Sequence, residues 1–536
     1  MSFIKDILSN NMSKNDICVF NIIADDYLPQ QQLFAKYFKK NHPDIDIYCI
    51  TLENTIIKSD LFKTIPLDKI KTINNLEFLK FKYNVLELST AVKPSIFQWL
   101  FNKYKYEKIL YFDSDILVYQ SLNDIIKRLD SYEALITPHI REIIEDHKEP
   151  SEIDFAKSGY FNAGFLGLKR SDKTTKFLKW WAEKNNKYCY IDFDKFYFVD
   201  QRWLDYVPIF LNTYIIKEPG YNLAYFNLQE YVGKIDTKKI HFIHFSGFDK
   251  DKVSVYQKRF NIESLKDYSS YYKDYYSEIC KLNKIESHKY KYDYFSNNVY
   301  ISPYVKKFFL NLDIISDNEL DVKKTFDIKE KKSIYSFLNG EHKFIPLTNL
   351  MYLLYANNIS LKEKFPNLVF LRLNNHLYSY ILWFINESKR EFGIDDAFIN
   401  KQRAIMDDVK IIFKLFDSFL LKNRFKRLML RYKYFLKIMF INDKIIFTKN
   451  LYLFLLNRNP DEISLKKIKK DVAKIYEFKK ILLEDIIKNQ EFISVINSGI
   501  KPRSNFSIKF IAFNYRFFGL FFIFVSKLLI KLKRRK

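Results

Sequence analysis

Two aspartates, Asp113 and Asp115, are separated by one residue and follow the apolar run of residues 108–112; a second apolar run, 116–118, comes next. This pattern predicts that both carboxylates lie at a strand end, where open α/β sheets bind their ligands. Mg²⁺ and Mn²⁺ prefer oxygen ligands and are usually held by one or two carboxylates together with substrate phosphates. The spacing therefore indicates either a metal site or an ordinary strand-to-loop junction, because Asp-Ser-Asp also suits a turn.

Strands and helices alternate around these aspartates through the first half of the chain. Buried strands appear as short apolar runs, and Pro94 suits the first turn of a helix, where a missing N–H costs nothing. Such alternation predicts an α/β domain with a mostly parallel sheet. The predicted strands are 17–23, 45–52, 85–88, 108–113, 134–137, 161–168 and 240–245, and the predicted helices are 28–40, 93–104 and 122–129.

Composition limits the classes of function. The 536 residues suffice for two to four domains, and 88 Lys and Arg against 63 Asp and Glu give a formal net charge of +25. Such a charge suits nucleic acid or an anionic membrane. The lysines, however, are spread along a sequence rich in Ile, Asn, Phe and Tyr and poor in Gly and Pro, as an A/T-rich coding background would give. We therefore expect no nucleic-acid partner, which would need a clustered basic face.

Cysteine usage and hydropathy indicate a compartment. The four cysteines are far apart and form no Cys-x-x-Cys pair, so neither a disulfide framework nor a zinc site is expected. The first residues contain no apolar h-region, and no run of 18 apolar residues occurs. The sequence thus predicts a cytoplasmic protein without a signal peptide or a spanning helix.

Nine short motifs occur in a fixed order. They are NIIADDY (21–27), KP (93–94), YFDSDILV (111–118), TPH (137–139), YFNAGFLGLKR (160–170), WW (180–181), FVDQRWLD (198–205), PGYNLAYFNL (219–228) and HFSGFD (244–249). Over residues 15–265 this set resembles bacterial nucleotide-sugar glycosyltransferases of the GT-A fold related to family 8. The resemblance implies a Rossmann-like α/β catalytic domain and, with it, retention of anomeric configuration.

The resemblance also implies a metal site for Mn²⁺ or Mg²⁺. Asp113 would address the ribose and the metal, Asp115 would bind the metal, and His244 would complete its coordination. A divalent cation neutralises the charge that develops on the leaving diphosphate. In the pattern His-x-x-Gly-x-x-Lys, Gly247 and Lys250 would approach the pyrophosphate, although the Pro-Trp that often follows is replaced here by Asp-Lys.

The other donor-binding and catalytic positions come from the same matching. Asp200 and Gln201 would face the donor sugar and steer charge in the transition state, with a buried structural pair as the alternative. A base or ribose contact near residue 22 competes with an ordinary strand exit, and a phosphate contact by Lys93 competes with capping of its own helix. The positions implied to contact the donor are Ile22, Ile23, Ala24, Tyr27, Lys93, Asp113, Ser114 and the predicted tight turn Asn162, Ala163 and Gly164.

Four further residues near these motifs favour packing over chemistry. His241 lies three residues before His244, so alternation along a strand places it on the opposite face, and a core or surface role is the better interpretation. The large aromatic residues Trp180, Trp181 and Trp203 are predicted to belong to the core.

The second half changes character. After a catalytic domain over 1–265 we expect a helical accessory region over 266–435 and a small three-helix domain over 436–500, which resembles modules appended to bacterial surface-glycan enzymes. In the tail, 501–536, aromatic and aliphatic residues recur at helical spacing before a strongly basic end. Residues 505–536 thus predict a helix lying on an anionic membrane surface, with a docked terminal helix as the alternative.

Together these features predict a metal-dependent glycosyltransferase, peripheral on the inner face of the cytoplasmic membrane. It would move a sugar from a nucleotide-diphosphate donor, a UDP-sugar, to a glycan, lipid-linked or cell-surface acceptor. One alternative is a sugar nucleotidyltransferase, although such enzymes usually carry a Gly-rich phosphate loop after the first strand and residues 21–27 contain no glycine. A second alternative is a non-catalytic sugar- or nucleic-acid-binding protein.

Overall fold

A seven-stranded sheet with the order β10-β6-β7-β4-β1-β2-β3 forms the centre of the first half of the chain. In this computed structural model the structure describes residues 16–143, 150–230, 239–247, 266–282, 288–342, 347–366 and 375–405. The chain divides into two compact units, Met1–Tyr294 and Phe295–Lys536. The strands are β1 (Ile17–Ile23), β2 (Asp46–Thr51), β3 (Lys63–Pro66), β4 (Lys108–Phe112), β5 (Ile116–Val118), β6 (Ala134–Pro138), β7 (Phe161–Lys169), β8 (Ile191–Asp192), β9 (Tyr197–Phe198), β10 (Thr213–Ile215) and β11 (Phe242–His244).

The sheet is mostly parallel, as the sequence predicts. Strands β1, β2, β3 and β4 pair in parallel, and so do β6 and β10, whereas β7 runs antiparallel to both of its neighbours, β4 and β6. Because the carboxyl ends of β1 and β4 meet at one edge, the residues that follow these two strands lie side by side there. The predicted α/β class with a mostly parallel sheet is confirmed for this unit.

Helices cover this sheet and connect its strands. α4 begins at Lys93 with Pro94 in its first turn, as expected from the sequence. The helices of the first unit are α1 (Leu28–Asn41), α2 (Leu76–Lys82), α3 (Val85–Ala91), α4 (Lys93–Tyr104), α5 (Asn123–Arg128), α6 (Glu152–Ser158), α7 (Asp172–Tyr188), α8 (Val207–Phe210) and α9 (Lys266–Leu282).

A separate two-stranded ribbon continues from the centre of the sheet. Three residues, 113–115, separate β4 from β5, and β5 pairs antiparallel with β11, so that Ile116 lies opposite His244 and Val118 lies opposite Phe242. The backbone N–H of Phe245 donates to Asp115 O at 2.9 Å, which ties the end of β11 to the aspartate turn. The ribbon therefore brings His244 next to residues more than a hundred positions earlier in the chain.

Aromatic side chains form the core directly behind this turn. Phe112 packs against Phe165 and Phe242, with ring centroids 4.9 and 5.6 Å apart, and both partners also contact each other. All three side chains are buried. Aromatic packing of this kind fixes the end of β4 against the middle of β7 and the start of β11, and thereby holds the turn rigidly.

Two sequence predictions about local structure are wrong. Residues 85–88 form not a strand but part of helix α3, which is started by a capping box in which Asn84 accepts from the N–H of Glu87 and Glu87 accepts from the N–H of Asn84. Asn162, Ala163 and Gly164 form not a tight turn but part of strand β7, with glycine required there by a long-range contact described below.

The second unit is helical in its described part. Its helices include α10 (Pro303–Phe308), α11 (Asp313–Asp317), α12 (Ile334–Asn339), α13 (Asn349–Ala356), α14 (Ile359–Lys364) and α15 (Asn375–Phe392). Helix α9, which the sequence analysis placed in the accessory region, belongs to the first unit. The predicted three-helix domain (436–500) and the basic tail (501–536) lie outside the described residues. Across the part of the chain that is described, none of the helices has both the length and the apolar character needed to span a bilayer.

Candidate active site

Asp113, Asp115 and His244 come together where β4 ends and the β5–β11 ribbon begins. One ligand atom from each of the three lies within 4.8 Å of the others. The His244 Nε2 atom is 3.2 Å from Asp115 Oδ1 and 3.6 Å from Asp113 Oδ2. The histidine is buried, whereas both aspartates remain partly accessible, so the group is open on its carboxylate side. We refer to these three residues as the carboxylate–histidine cluster.

A buried asparagine fixes the orientation of the histidine ring. Asn162 Oδ1 accepts a hydrogen bond from His244 Nδ1 at 3.1 Å, because an amide oxygen can only accept. The proton therefore sits on Nδ1 in the neutral ring, and the Nε2 lone pair is left facing Asp113 and Asp115. A partner on one ring nitrogen is the usual way in which proteins direct the other nitrogen to a metal.

The same asparagine oxygen is held by its surroundings. It also accepts from the N–H of Gly164 at 3.1 Å and lies 3.3 Å from the side-chain amide nitrogen of Asn222. Asn222 Nδ2 further donates to Thr137 Oγ1 at 3.1 Å. Asn162, Asn222 and Thr137 are all buried, so this network is shielded from water and rigid.

Gly164 makes room for the histidine ring. A Cβ atom at this position would lie 2.4 Å from His244 Cε1 and 2.9 Å from Asn162 Oδ1. Position 164 therefore has to be glycine because β11 approaches β7 closely there, and not because the chain turns.

The two carboxylates lack enough donors of their own. Tyr111 donates its hydroxyl to Asp113 Oδ1, and the Asp113 N–H donates to Gly164 O at 2.8 Å. Asp115 Oδ1 is buried and accepts no well-aligned hydrogen bond from any of the described residues. A buried carboxylate oxygen without a donor is costly unless a cation approaches it.

Electrostatics at the cluster point the same way. Burial raises the pKa of Asp113 despite the opposing charge of Lys93, and Asp115 raises it further. Burial opposes charge on His244, yet the neighbouring carboxylates of Asp115 and Asp113 leave its pKa raised. A cation placed between the two carboxylates and the imidazole nitrogen would therefore stabilise the charged form of both aspartates. Two carboxylate oxygens and one imidazole nitrogen are a donor set that fits Mn²⁺ or Mg²⁺.

A buried ion pair lies on the other side of Tyr111. Lys93 Nζ is 2.6 Å from Asp200 Oδ2, and both side chains have exposures of at most 1%. The ammonium also donates to Ala163 O at 3.0 Å and lies 4.1 Å from the centroid of the Tyr111 ring. Burial raises the pKa of Asp200 to about 6, although the charge of Lys93 lowers it. We refer to these two residues as the Lys93–Asp200 pair.

Gln201 borders a cavity beside the Lys93–Asp200 pair. Its Oε1 accepts from the N–H of Ala163 at 3.1 Å and its Nε2 donates to Ser158 O at 3.0 Å, so the amide is fixed at both ends. The cavity has a volume of about 340 Å³. Its lining combines polar side chains, among them Gln201, Asn162, Asp154 and Lys157, with five aromatic ones, Phe155, Phe193, Phe198, Tyr225 and Phe226.

The strand exit predicted to contact the base is near the cluster. Ile22, Ile23 and Ala24 are buried at the end of β1, and Tyr27 lies in the turn that follows with 45% of its surface exposed. Burial raises the pKa of Tyr27 to about 12, and the charges of Asp115, Asp26 and Asp113 add to this effect. The contact of Tyr27 with a donor nucleotide stays a prediction.

The remaining predicted residues divide as follows. Ser114 is buried between the two aspartates, and Gly247 has a left-handed φ of +62° in the turn after β11. Lys250 lies outside the described residues. Their contacts with a donor stay predictions, as do those of Lys93, Asn162 and Ala163.

Four side chains near the motifs take packing positions. His241 stacks on Tyr221 with ring centroids 4.1 Å apart and donates from Nδ1 to Ser121 O, away from the cluster. Trp181 is fully buried, whereas Trp180 and Trp203 are only half-buried.

Sequence reasoning missed two residues that support the cluster. Tyr111 shares a face of β4 with Asp113 by its i, i+2 spacing, and that alternation was the available signal. Asn222 lies in the motif at 219–228, but its contact with Asn162 joins positions 60 residues apart, and nothing in the sequence pairs them.

Comparison with known proteins agrees with this geometry. Residues 18–251 match the family model described as glycosyl transferase family 8. No curated protein matches the chain at a significant level.

Several solved structures are similar to the chain. The galactosyltransferase LgtC, solved with donor and acceptor sugar analogs, shares 16% identity over 50% of this chain and 97% of its own, with a TM-score of 0.32. The bifunctional glycosyltransferase WbbM in its apo form shares 13% identity over 51% of this chain and 50% of its own, with a TM-score of 0.32. GlyE of Streptococcus pneumoniae TIGR4 in its apo form shares 16% identity over 49% of this chain and 63% of its own, with a TM-score of 0.29.

The family match selects among the three classes of function that the sequence left open. It covers the aspartate turn, the Lys93–Asp200 pair and His244, and it favours neither a nucleotidyltransferase nor a non-catalytic binding protein. Residues 18–251 are therefore a domain similar to glycosyl transferase family 8, which supports a glycosyltransferase enzyme.

Proposed function

We propose that this glycosyltransferase uses a divalent cation, Mn²⁺ or Mg²⁺, and a nucleotide-diphosphate donor, a UDP-sugar, and that its acceptor is a glycan or a lipid-linked glycan. The single observation that carries the proposal is the convergence of Asp113, Asp115 and His244 within 4.8 Å, with His244 Nε2 turned toward both carboxylates. Three such groups in one place need a cation to balance them. The family 8 match makes a nucleotide diphosphate the natural partner of that cation.

Asp113, Asp115 and His244 would hold the metal, which neutralises the negative charge that the leaving diphosphate develops. Tyr111 keeps Asp113 in place through its hydroxyl, and Asn162 keeps His244 in the required tautomer. Both supports are buried, so the cluster loses little entropy when a ligand binds.

The sugar of the donor would lie over Gln201 and the Lys93–Asp200 pair. The amide of Gln201 is immobilised by Ala163 and Ser158, so it can present fixed dipoles to a sugar hydroxyl or to charge that develops during transfer. The aromatic side chains of the cavity next to it suit the apolar face of an acceptor pyranose.

The test of this function is UDP release from a panel of UDP-sugars by the purified protein, with Mn²⁺ and then with EDTA. We expect one donor to be turned over only when the metal is present, which identifies the sugar as well. Turnover that persists unchanged in EDTA contradicts the metal assignment. Absence of both turnover and calorimetric UDP binding across the panel contradicts the UDP-sugar assignment.

We also propose, from the sequence alone, that residues 505–536 hold the enzyme on the inner face of the cytoplasmic membrane. Phenylalanines at helical spacing would enter the acyl boundary while the basic end contacts anionic headgroups. Deletion of 505–536 should release the protein from liposomes that contain anionic lipid, as measured by cosedimentation. Undiminished binding of the shortened protein would show that the anchor lies elsewhere.

A further inference from the structure

A second cavity lies away from the catalytic residues. It has a volume of about 700 Å³, within the range of about 300–1,000 Å³ typical of small-molecule sites. Helix α5, the segment after β10 and the segment before β11 form its walls, and none of its lining residues belongs to the candidate active site. We refer to it as the α5 cavity.

The β5–β11 ribbon separates the α5 cavity from the carboxylate–histidine cluster. His241 lines the cavity and His244 belongs to the cluster, and a strand of three residues spans about 10 Å. The backbone N–H of Tyr119 donates to His241 O at 2.8 Å, which closes the far end of the ribbon. The two sites are therefore at opposite ends of one rigid element.

Charges of both signs surround the cavity without neutralising each other. Lys127, Arg128 and Lys239 contribute cations and Asp124 contributes a carboxylate, and none of the four forms an ion pair with another described residue. Donors and acceptors thus remain free to meet a ligand that needs both.

Glu218 presents an acceptor that is already desolvated. Its Oε1 accepts from the Tyr214 hydroxyl, while its Oε2 is buried and has no hydrogen-bond partner among the described residues. Arg128 lies over the Tyr214 ring at 4.8 Å, so the guanidinium and this carboxylate are held on one wall. A buried oxygen of this kind is costly unless a ligand or water donates to it.

This chemistry selects one class of ligand. A metal ion would meet three cations, and a phosphate would meet two carboxylates. A pyranose suits both sets, because each hydroxyl donates to a carboxylate and accepts from an ammonium or guanidinium, while the ring packs on aromatic side chains such as Tyr132. We propose that the α5 cavity is a second, non-catalytic site that binds a pyranose unit of a glycan. This proposal rests on the glycan acceptor of the proposed function.

Saturation-transfer NMR of the full chain with methyl glycosides of glucose, galactose, mannose and N-acetylglucosamine tests this site without nucleotide or metal. We expect at least one glycoside to bind, and its affinity to fall at least about tenfold in Glu218→Gln and in Arg128→Ala, since each removes a hydrogen bond to a charged group. The active-site variant Asp115→Asn should keep the affinity of the wild type. Glu218→Gln preserves the acceptor for Tyr214, and its thermal unfolding should match that of the wild type.

Four results would overturn the site. One is that no glycoside receives saturation, and another is an affinity that is unchanged in both Glu218→Gln and Arg128→Ala. The third is binding that is lost in Asp115→Asn but kept in Glu218→Gln, which would place the sugar in the catalytic cavity. The fourth is displacement of the glycoside by inorganic phosphate alone, which would make this an anion site. UDP release is measured in parallel. Because glycoside binding in the α5 cavity needs no turnover, failure of this site and failure of the proposed function can be told apart.

Discussion

The carboxylate–histidine cluster and the Lys93–Asp200 pair lie on two sides of Tyr111 and differ in how their charges are balanced. In the cluster, two carboxylates face one imidazole, and Asp115 Oδ1 is left without a well-placed donor. In the pair, one ammonium meets one carboxylate at 2.6 Å, and both are sealed from solvent, although neither Asp200 oxygen has a well-aligned hydrogen bond among the described residues. Under the proposed function, this difference means that the first group receives a cation from outside, whereas the second balances its charge within the protein.

The largest expected effect comes from breaking the pair. Lys93→Met leaves the Asp200 carboxylate buried without a counter-charge and should lower the free energy of unfolding by about 3–5 kcal/mol. Urea denaturation measures this change in the free energy of unfolding. Lys63→Met is the matched control, since Lys63 pairs with Asp46 at 2.8 Å but is 61% exposed, and it should cost no more than about 1 kcal/mol.

The same variant can contradict this assignment. If Lys93→Met unfolds like the wild type but weakens donor binding strongly, Lys93 contacts the donor phosphates rather than serving as an internal counter-ion. A double variant, Lys93→Met with Asp200→Leu, should recover part of the stability, because a buried ion pair can be replaced by apolar side chains of similar size.

The next effect concerns the support of the cluster. Asn162→Ala removes the acceptor of His244 Nδ1 and frees the ring to change tautomer, so Mn²⁺ affinity should fall about 10–100-fold. Electron paramagnetic resonance of bound Mn²⁺ in the presence of UDP measures this without turnover. Asn162→Asp, which still accepts from Nδ1, should retain more affinity than Asn162→Ala. Equal affinities in the wild type and both variants would show that Asn162 does not position the histidine.

The smallest effect is a pH dependence of stability next to the cluster. His139 stacks on Phe155, and its burial lowers its pKa to about 4. Because the unfolded chain then binds more protons between about pH 6.5 and 4, this group favours unfolding as the pH falls through that window. When the pH is lowered from 7 to 5.5, the free energy of unfolding should therefore fall by about 1 kcal/mol less in His139→Gln than in the wild type. Urea denaturation at each pH measures this difference. Parallel losses in the two proteins would contradict a neutral buried His139.

Much of the fold was predictable because its signals are local. Apolar runs predicted most of the strands, and the spacing of Asp113 and Asp115 alone predicted a strand end. The exception at Val85–Ala91 also had a local signal, since Asn84 and Glu87 have the spacing of a capping box, which outweighs a short apolar run.

The candidate site was predictable only in part because its supports are contacts between distant residues. Glycine at 164 suggested a turn, whereas its reason is the ring of His244, 80 positions later, which no local pattern contains. The Lys93–Asp200 pair likewise joins α4 to the segment after β9, and neither residue type reveals its partner. Spacing thus pointed to Asp113 and Asp115 and the family resemblance to His244, whereas packing decided which residues support them.

The most direct test of the account is calorimetric titration of Mn²⁺ into the UDP-bound protein for the wild type, Asp115→Asn and His244→Ala, with the exposed Asp60→Asn as control. The account predicts saturable binding of one Mn²⁺ to the wild type and to Asp60→Asn, and a loss of at least about 100-fold in affinity in the two cluster variants, with the free energy of unfolding little changed. Wild-type affinity in Asp115→Asn and His244→Ala would contradict the assignment of the carboxylate–histidine cluster as the metal site.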